Sequence, residues 1–304
     1  MQDAQLQQLK AILSEENIRL REPMNLHTSF RIGGPCDVFC TPESVEQVRD
    51  TLRFLTKEQI PFFVLGKGSN LLVSDRGFDG VVVHLGKGFD QIRVDGNRVI
   101  ARAGAGLAAI ARRCLEEGLT GFEFAAGIPG SLGGAVVMNA GAYGGQMADV
   151  IKQVTAMDEA GELVSLSGEA LEFGYRDSIF KRRKLIVLEV TMELAPGDRD
   201  QIAGTMQTLA TLRREKQPLE YPSAGSTFKR PEGYFAGKLV MDAGLRGYRI
   251  GGARISEKHC GFIVNENHAT ARDVRELIEY ARKEVLRQFG VELEPEVLFL
   301  GSDE

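Results

Sequence analysis

Apolar residues recur at helical spacing in five segments of the chain, and each recurrence predicts an amphipathic helix. The best-marked segment is the last, where Thr270 can cap the start and Gly290 can stop the helix. Another has Thr41 as its cap and Pro42 at its first position. The apolar stripes are Leu6, Leu9 and Leu13 over residues 3–15; Val45, Val48, Leu52 and Leu55 after Pro42; a stripe over residues 107–117; Ile202, Met206, Leu209 and Leu212 over residues 198–216; and Val274, Leu277, Ile278, Ala281, Val285 and Phe289 before Gly290.

Runs of β-branched and other apolar residues between these helices predict strands. Pro196-Gly197 follows one such run and indicates a boundary before the next helix. Because strands and helices mix without strict alternation, the pattern predicts an α+β fold. The predicted strands cover residues 62–65, 81–85, 91–94, 98–103, 151–158, 163–166, 185–194 and 297–300.

Composition narrows the class of protein. The 304 residues carry a formal net charge of −5, so the chain lacks the basic footprint of a nucleic-acid-binding protein. No apolar run is long enough for a membrane-spanning helix, and residues 1–5 lack the basic start and apolar core of a signal peptide. These features predict a cytoplasmic protein with neither a membrane nor a nucleic-acid partner.

The cysteines are too few and too scattered for a disulfide framework or a zinc site. They are Cys36, Cys40, Cys114 and Cys260, and no two form a CxxC pair. We therefore expect reduced, structural thiols and no metal.

Residues 66–70 (GKGSN) directly follow the predicted strand 62–65. Small residues let a backbone approach a ligand closely, and successive N–H groups can bind an anion. A tight turn between strands explains the same residues equally well.

Residues 127–135 (GIPGSLGGA) form a longer glycine-rich stretch that leads into residues 136–144. A turn of this kind that opens into a helix offers N–H groups and a positive dipole end, which suit a pyrophosphate. Two such loops in one region indicate a dinucleotide held by backbone groups.

Residues 104–109 (GAGLAA) fit the G-x-G-x-x-A fingerprint of a Rossmann domain, and Glu123 lies near the spacing of its ribose-binding acid. The flanking segments do not continue the alternating strand and helix units of that fold. We therefore interpret this segment as a strand-to-helix turn.

Six motifs in register, which cover nearly the whole chain, resemble the UDP-N-acetylenolpyruvoylglucosamine reductase family. Each motif alone is weak, but the ordered set is highly specific. The motifs are GKGSNLLV at residues 66–73, AGIPGSLGG at 126–134, MNAGAYGG at 138–145, YRDSIF at 175–180, GSTFKRP at 225–231 and LEPEV at 293–297.

The resemblance implies an FAD-binding fold of the vanillyl-alcohol oxidase type. Two α+β subdomains, residues 1–80 and 81–197, would hold non-covalent FAD, and an α+β domain over residues 198–304 would bind the substrate. The implied cofactor-binding residues are Gly66, Lys67, Gly68, Ser69, Asn70, Leu71, Gly127, Ile128, Pro129, Gly130, Ser131, Gly133, Gly134, Asn139, Gly141 and Ala142.

The implied reaction is the reduction of UDP-N-acetylglucosamine enolpyruvate to UDP-N-acetylmuramate, with NADPH as hydride donor through FAD, in peptidoglycan precursor synthesis. Hydride addition leaves negative charge beside a carboxylate, so the site must stabilise an enolate and supply one proton. The resemblance assigns the proton to Ser226 and makes Arg176 and Glu296 its partners. Without the resemblance, a loop serine and two surface ion-pair residues would be the simpler interpretation.

Further residues suit the UDP-sugar. Tyr175 is a candidate for the wall of its pocket, and Lys216, Lys229 and Arg230 are candidates for its pyrophosphate. His259 is either a substrate or flavin contact or a partly buried structural histidine. Residues 256–260 (SEKHC) resemble the shorter form of the family, which lacks an insertion with an extra substrate-binding tyrosine.

Two other functions stay open at this point. Some flavin oxidases of the same fold attach FAD covalently through histidine, and neither glycine loop contains a histidine, which disfavours this function. A non-catalytic nucleotide-binding protein would not need Arg176, Ser226 and Glu296 together. No association helix stands out in the pattern, which favours a monomer.

Overall fold

The computed structural model describes residues 1–302, and helices and strands mix along them as the α+β prediction requires. The helices are α1 (Asp3–Ile12), α2 (Val45–Lys57), α3 (Leu107–Glu117), α4 (Leu132–Val137), α5 (Ile179–Arg182), α6 (Arg199–Lys216), α7 (Ala236–Asp242) and α8 (Ala271–Phe289). The strands are β1 (Ile18–Pro23), β2 (Pro35–Cys40), β3 (Phe62–Leu65), β4 (Leu71–Val73), β5 (Phe78–His84), β6 (Ile92–Asp95), β7 (Arg98–Arg102), β8 (Leu119–Thr120), β9 (Gly141–Ala142), β10 (Gly145–Gln146), β11 (Ile151–Met157), β12 (Leu163–Ser167), β13 (Ile186–Glu193), β14 (Ala195–Pro196), β15 (Arg249–Ile250), β16 (Ala253–Ile255), β17 (Ile263–Asn265) and β18 (Leu298–Leu300).

Helix α8 begins and ends as its sequence predicts. The Thr270 hydroxyl accepts a hydrogen bond from the Asp273 N–H (3.0 Å), and the Asp273 carboxylate accepts one from the Thr270 N–H (3.0 Å). Gly290 ends the helix with a left-handed φ of +68°, which glycine adopts at little cost. The predicted apolar stripe is buried except for Phe289, which is exposed.

Helix α2 begins later than the sequence predicts. Ser44, not Thr41, is its cap, because the Ser44 hydroxyl accepts a hydrogen bond from the Gln47 N–H (3.2 Å). Pro42 therefore precedes the helix and does not occupy its first position. The predicted stripe is nevertheless correct, since it packs inward from Val48 onward.

The chain forms two compact units built from interleaved segments. The first unit contains residues 1–20, 38–67 and 80–213, and the second contains residues 21–37, 68–79 and 214 onward. The sequence analysis predicted three parts, with boundaries after residues 80 and 197. This division into three stays a prediction.

A five-stranded antiparallel sheet forms the centre of the first unit, in the order β12-β11-β13-β7-β6. Helices α3 and α4 bury apolar side chains in the same core as this sheet. Because β7 pairs antiparallel with both of its neighbours, residues 104–109 are a strand-to-helix turn, as we interpreted them. Glu123 accepts hydrogen bonds from Thr120 (2.7 Å) and from the Gly121 N–H (2.8 Å), so local groups occupy its carboxylate.

Strand β3 ends directly before the first glycine loop. It pairs parallel with β5, with Phe62 opposite Val81, in a sheet of order β1-β2-β5-β3. The sequence analysis did not predict β2.

The second unit places α7 and α8 around the small sheet β15-β16-β17. Strand β18 pairs parallel with β4, so Leu298 lies opposite Leu71. This pairing joins the residues after the first glycine loop to the residues after Glu296.

Several general features follow from the described part of the chain. None of its helices is both long and apolar enough to cross a membrane. Among residues 1–302, no three His, Cys, Asp or Glu side chains converge as metal ligands. All four cysteines are buried thiols, as predicted.

Candidate active site

The first glycine loop, residues 66–70, is packed too closely for side chains at two positions. A methyl group on Gly66 would lie 2.1 Å from the Ser131 hydroxyl, within the first unit. One on Gly68 would lie 2.1 Å from the His27 carbonyl, within the second unit, and Gly68 also has a φ of +58°. Within the first unit, the contact of Gly66 with Ser131 brings the start of the first loop to the second loop.

The second glycine loop offers fewer free N–H groups than the sequence suggests. Ser131 is buried and forms an isolated antiparallel β-bridge with Gly106. The Gly133 N–H donates a hydrogen bond to the Ala103 carbonyl (2.8 Å). The helix that follows, α4, has only six residues, so its dipole is weaker than the expected pyrophosphate site implies. A cofactor at this loop would depend on close backbone approach more than on a helix end.

Asn139 is buried after the second loop, and its amide is engaged with protein groups. Its Nδ2 donates to the Gln146 side chain (3.1 Å) and to the Gly174 carbonyl (2.9 Å). Its Oδ1 accepts from the Ala148 N–H (2.9 Å). The amide therefore ties together three stretches of the first unit.

Tyr175 and Arg176 lie in a tight turn of the same unit. The Gly174 N–H donates to the Asp177 carbonyl (3.0 Å), and the turn places Arg176 in the left-handed region at φ +54°. The Arg176 guanidinium lies over the ring of Tyr175 at 5.1 Å, and its Nη2 donates to the Gly141 carbonyl (3.4 Å). The predicted catalytic arginine and pocket tyrosine thus stack on each other beside a predicted cofactor residue.

In the second unit, Thr227 anchors the loop that carries Ser226. The Thr227 N–H donates to the Gly261 carbonyl (2.8 Å), and its hydroxyl accepts from the Ile263 N–H (3.1 Å). The Thr227 carbonyl accepts from the Glu296 N–H (2.8 Å). The structure therefore brings the segments of two predicted catalytic residues side by side, with Ser226 exposed.

Asn70, at the end of the first glycine loop, is hydrogen-bonded to the segment that carries Glu296. Its Nδ2 donates to the Glu296 carbonyl (3.0 Å), and its carbonyl accepts from the Leu298 N–H (3.0 Å). A predicted cofactor residue thus holds the backbone on both sides of Val297, next to Glu296.

The predicted basic residues have different surroundings. Lys229 forms an ion pair with Glu294. The Arg230 guanidinium lies over the Phe235 ring at 4.0 Å. Lys216 is exposed at the last position of α6.

His259 is partly buried and is held as a neutral imidazole. Its Nδ1 accepts from the Gly261 N–H (3.0 Å), which leaves the ring proton on Nε2. Burial lowers the pKa of His259, and its ring meets that of Phe262 edge-on at 5.0 Å. A neutral Nε2–H donor suits a carbonyl or phosphate oxygen better than it suits proton transfer.

Arg213 is a candidate that the sequence analysis did not predict. A methyl group on Gly127 would lie 3.1 Å from its Cδ, so Arg213 borders the second glycine loop. Burial lowers the pKa of its guanidinium, and nearby Tyr143 partly opposes this effect. A partly desolvated cation favours an anion beside it. The sequence contains one signal for this position: on α6, Arg213 is spaced from the buried Ile202 so that both side chains lie on the same face of the helix.

The residues present fit FAD. A dinucleotide pyrophosphate needs backbone that a ligand can approach without meeting side chains. At Gly66 and Gly68 a methyl group would lie 2.1 Å from a neighbouring oxygen, so these positions need glycine, and at Gly127 it would lie 3.1 Å from the Arg213 side chain. Arg213 adds a cation beside Gly127.

Comparison with known proteins first defines a class. Residues 36–167 match the FAD binding domain family. The fold also matches the glucose dehydrogenase Phl p 4.0202 over 65% of this chain and 45% of that chain, with a TM-score of 0.50 and 15% identity, which shows the fold alone. The protein is an FAD-binding α+β protein with the vanillyl-alcohol oxidase type of fold, as predicted.

The comparisons then identify the family. Residues 217–300 match the C-terminal domain of UDP-N-acetylenolpyruvoylglucosamine reductase. Reductases of this name are 52% identical in Caldanaerobacter subterraneus subsp. tengcongensis, over 99% of this chain and 100% of the relative, and in Geobacillus thermodenitrificans, over 98% and 97%. The crystal structure of the reductase from Thermus caldophilus has a TM-score of 0.80 and 34% identity, over 93% of this chain and 98% of that chain. The chain belongs to the UDP-N-acetylenolpyruvoylglucosamine reductase family and is an FAD-dependent oxidoreductase, which confirms the resemblance of the six motifs.

Proposed function

We propose that this protein reduces UDP-N-acetylglucosamine enolpyruvate to UDP-N-acetylmuramate, with FAD as cofactor and NADPH as hydride donor. The observation that carries the proposal is 52% identity to a reductase of this name over 99% of the chain and the whole relative. The product belongs to peptidoglycan precursor synthesis. We also propose a cytoplasmic protein, since its UDP-sugar substrate and NADPH are small and water-soluble, and a monomer, since no association helix stands out in the sequence pattern.

The two glycine loops are the proposed cofactor site. Gly66 and Ser131 of the first unit lie in contact, which supports a common ligand for residues 66–67 and the second loop. Arg213 beside Gly127 would add charge for the pyrophosphate or for the flavin ring. When bound, FAD supplies the hydride that it has received from NADPH.

Three side chains carry the proposed proton and charge chemistry. Ser226 donates the proton that completes the lactyl ether, and an exposed hydroxyl beside a rigid Thr227 suits that role. A serine is a weak acid, but an enolate is basic enough to take its proton. Arg176 presents a planar fork to the carboxylate of the enolpyruvyl group, and Glu296 stabilises the developing charge or orients Ser226.

Other residues hold the substrate in this proposal. Lys216, Lys229 and Arg230 would neutralise the pyrophosphate of the UDP-sugar, and Lys229 would exchange its ion pair with Glu294 for a phosphate. His259 would donate from Nε2 to a substrate oxygen. Tyr175 is 55% exposed, so part of its side chain is accessible as a pocket wall.

The test of the proposed function is Ser226→Ala, with the two half-reactions measured separately by stopped-flow absorbance of the flavin. Reduction by NADPH should keep its rate, because no proton from Ser226 is needed there. Reoxidation by the enolpyruvyl substrate should slow by about 10²-fold or more, the usual range for a lost general acid.

Ser223→Ala is the matched control, because it removes a hydroxyl from the same segment three positions away. Both half-reactions should keep their rates in this variant. Equal loss of both half-reactions in Ser226→Ala would reject the role of Ser226. Fast oxygen consumption without the UDP-sugar would instead indicate a flavin oxidase.

A further inference from the structure

The turn that carries Arg176 is fastened at both ends by buried side chains. The Asn139 amide donates to the Gly174 carbonyl at the start of the turn (2.9 Å). The Ser178 hydroxyl, just after the turn, donates to the Val137 carbonyl (2.7 Å). Asn139 is 2% exposed and Ser178 is fully buried. Both bonds join the turn to the segment that follows the second glycine loop.

Asn139 suits this position for two reasons. Its backbone has a φ of +42°, and asparagine tolerates this left-handed region better than most residues. Its short amide also satisfies three groups at once, since both of its N–H bonds and its oxygen are used. No other side chain of that size has two donors and an acceptor in one plane.

Arg176 lies within this turn and takes its backbone conformation from it. Its backbone has a φ of +54°, which a long side chain adopts only when the surroundings impose it. Its bond to the Gly141 carbonyl is 3.4 Å long, near the limit for a hydrogen bond. A small change in the turn would therefore rotate the guanidinium fork.

We propose that Asn139 is a positioning residue for the reaction, which acts by fixing the Gly174–Asp177 turn so that Arg176 presents its fork to the substrate carboxylate. Ser178 does the same from the other end of the turn. The proposal rests on the proposed function, because Arg176 meets a carboxylate only if the enolpyruvyl ether is the substrate. In this proposal Asn139 and Ser178 act through Arg176 and need no contact with the substrate.

The test is a double-mutant cycle with Asn139→Ala, Arg176→Ala and the double variant, with the holoenzyme and UDP-N-acetylglucosamine enolpyruvate as the probe. Asn139→Ala should slow flavin reoxidation by about 10- to 100-fold, the loss that a misplacement of about 1 Å produces. Reduction by NADPH should stay within about twofold of the wild type, because it does not involve the carboxylate. In the Arg176→Ala background, the second substitution should add less than about threefold, since coupled residues are not additive.

Gln146→Ala is the matched control, because it removes another partner of the same amide and leaves the bond to Gly174 intact. Its half-reactions should match those of the wild type. Hydrogen exchange gives a readout that needs no cofactor: the amides of Gly174 and Asp177, which close the turn, should exchange faster in Asn139→Ala but not in Arg176→Ala. If Asn139→Ala does not fold, Ser178→Ala, which loses a single hydroxyl, takes its place in the same cycle.

Two results would overturn the proposal. One is full additivity of Asn139→Ala and Arg176→Ala, and the other is an equal loss of both half-reactions while exchange at the turn is unchanged. Failure of the proposed function has a different signature, because wild-type reduced flavin would then not be reoxidised by the enolpyruvyl substrate at all.

Discussion

At the scale of single residues, the neighbours of Ser226 determine whether its hydroxyl is exposed. Ser226 is exposed because Thr227 uses its N–H and its hydroxyl in buried hydrogen bonds, and because Gly225 turns the chain at φ +78°. The GSTFKRP motif predicted Ser226 but not the role of Thr227. The partner of its hydroxyl lies 36 positions away, and no local pattern reports a bond of that range.

Asn139 and Arg213 show the same limit. The MNAGAYGG motif predicts Asn139 as a cofactor residue, which stays a prediction, and it does not report the hydrogen bonds of its amide with Gln146, Ala148 and Gly174. Arg213 is one of several charged residues on α6, and the sequence does not distinguish it from the others. Its burial against Gly127 becomes visible only when the helix and the loop have folded together.

Gly66→Ala tests whether the two glycine loops need their close contact. The added methyl would lie 2.1 Å from the Ser131 hydroxyl, so we expect a loss of about 1–3 kcal/mol in the free energy of unfolding. We also expect less FAD in the purified protein, measured by absorbance. Gly204→Ala, at an open position of α6, should instead stabilise the protein by up to about 1 kcal/mol. Adding Ser131→Ala to Gly66→Ala should recover part of the loss, and no recovery would contradict the steric explanation.

At the scale of elements, prediction succeeded where the signals are local. Helix α3 has the predicted bounds, and α8 has the predicted cap and stop, because their apolar periods and end signals lie within the helix itself. Helix α2 has two competing caps, Thr41 and Ser44, and only the geometry of the Ser44 hydroxyl decides between them. Strand β18 was found, but its partner β4 was not, because strand pairing depends on the fold of the whole unit.

Helix α8 has a second cap that the sequence did not predict. The two carboxylate oxygens of Asp75 accept hydrogen bonds from the N–H groups of Ala271 (2.8 Å) and Arg272 (3.1 Å). We expect Asp75→Ala to lower the free energy of unfolding by about 1–2 kcal/mol, because it removes a charge-assisted cap. Urea denaturation measures this change. Asp79→Ala, an exposed aspartate nearby, should change it by less than about 0.5 kcal/mol, and equal losses would refute the capping role.

The whole molecule contains cysteines that titrate far from their usual range. Burial raises the pKa of Cys36 to about 11 and that of Cys114 to about 12, because the thiolate loses its hydration. An unfolded thiol titrates near pH ~8.5, so the unfolded chain releases these protons first as the pH rises. Folding is therefore favoured fully below that pH and less so above it.

We expect the free energy of unfolding to fall between about pH 9 and pH 11, by up to about 1.4 kcal/mol per pH unit for each of these thiols. Urea midpoints across this range give the slope. Cys114→Ala should show a shallower slope, whatever its stability at neutral pH. An unchanged slope in that variant would mean that Cys114 does not contribute.

The pairing of β4 with β18 has a consequence for synthesis on the ribosome. The Asn70 side chain and its partner carbonyl at Glu296 lie 226 positions apart. At about 5–20 residues per second, the earlier segment waits about 10–45 s before its partner is made. During that interval the strand of Leu71, Leu72 and Val73 lacks its pairing partner, so we expect this stretch to offer a binding site to chaperones.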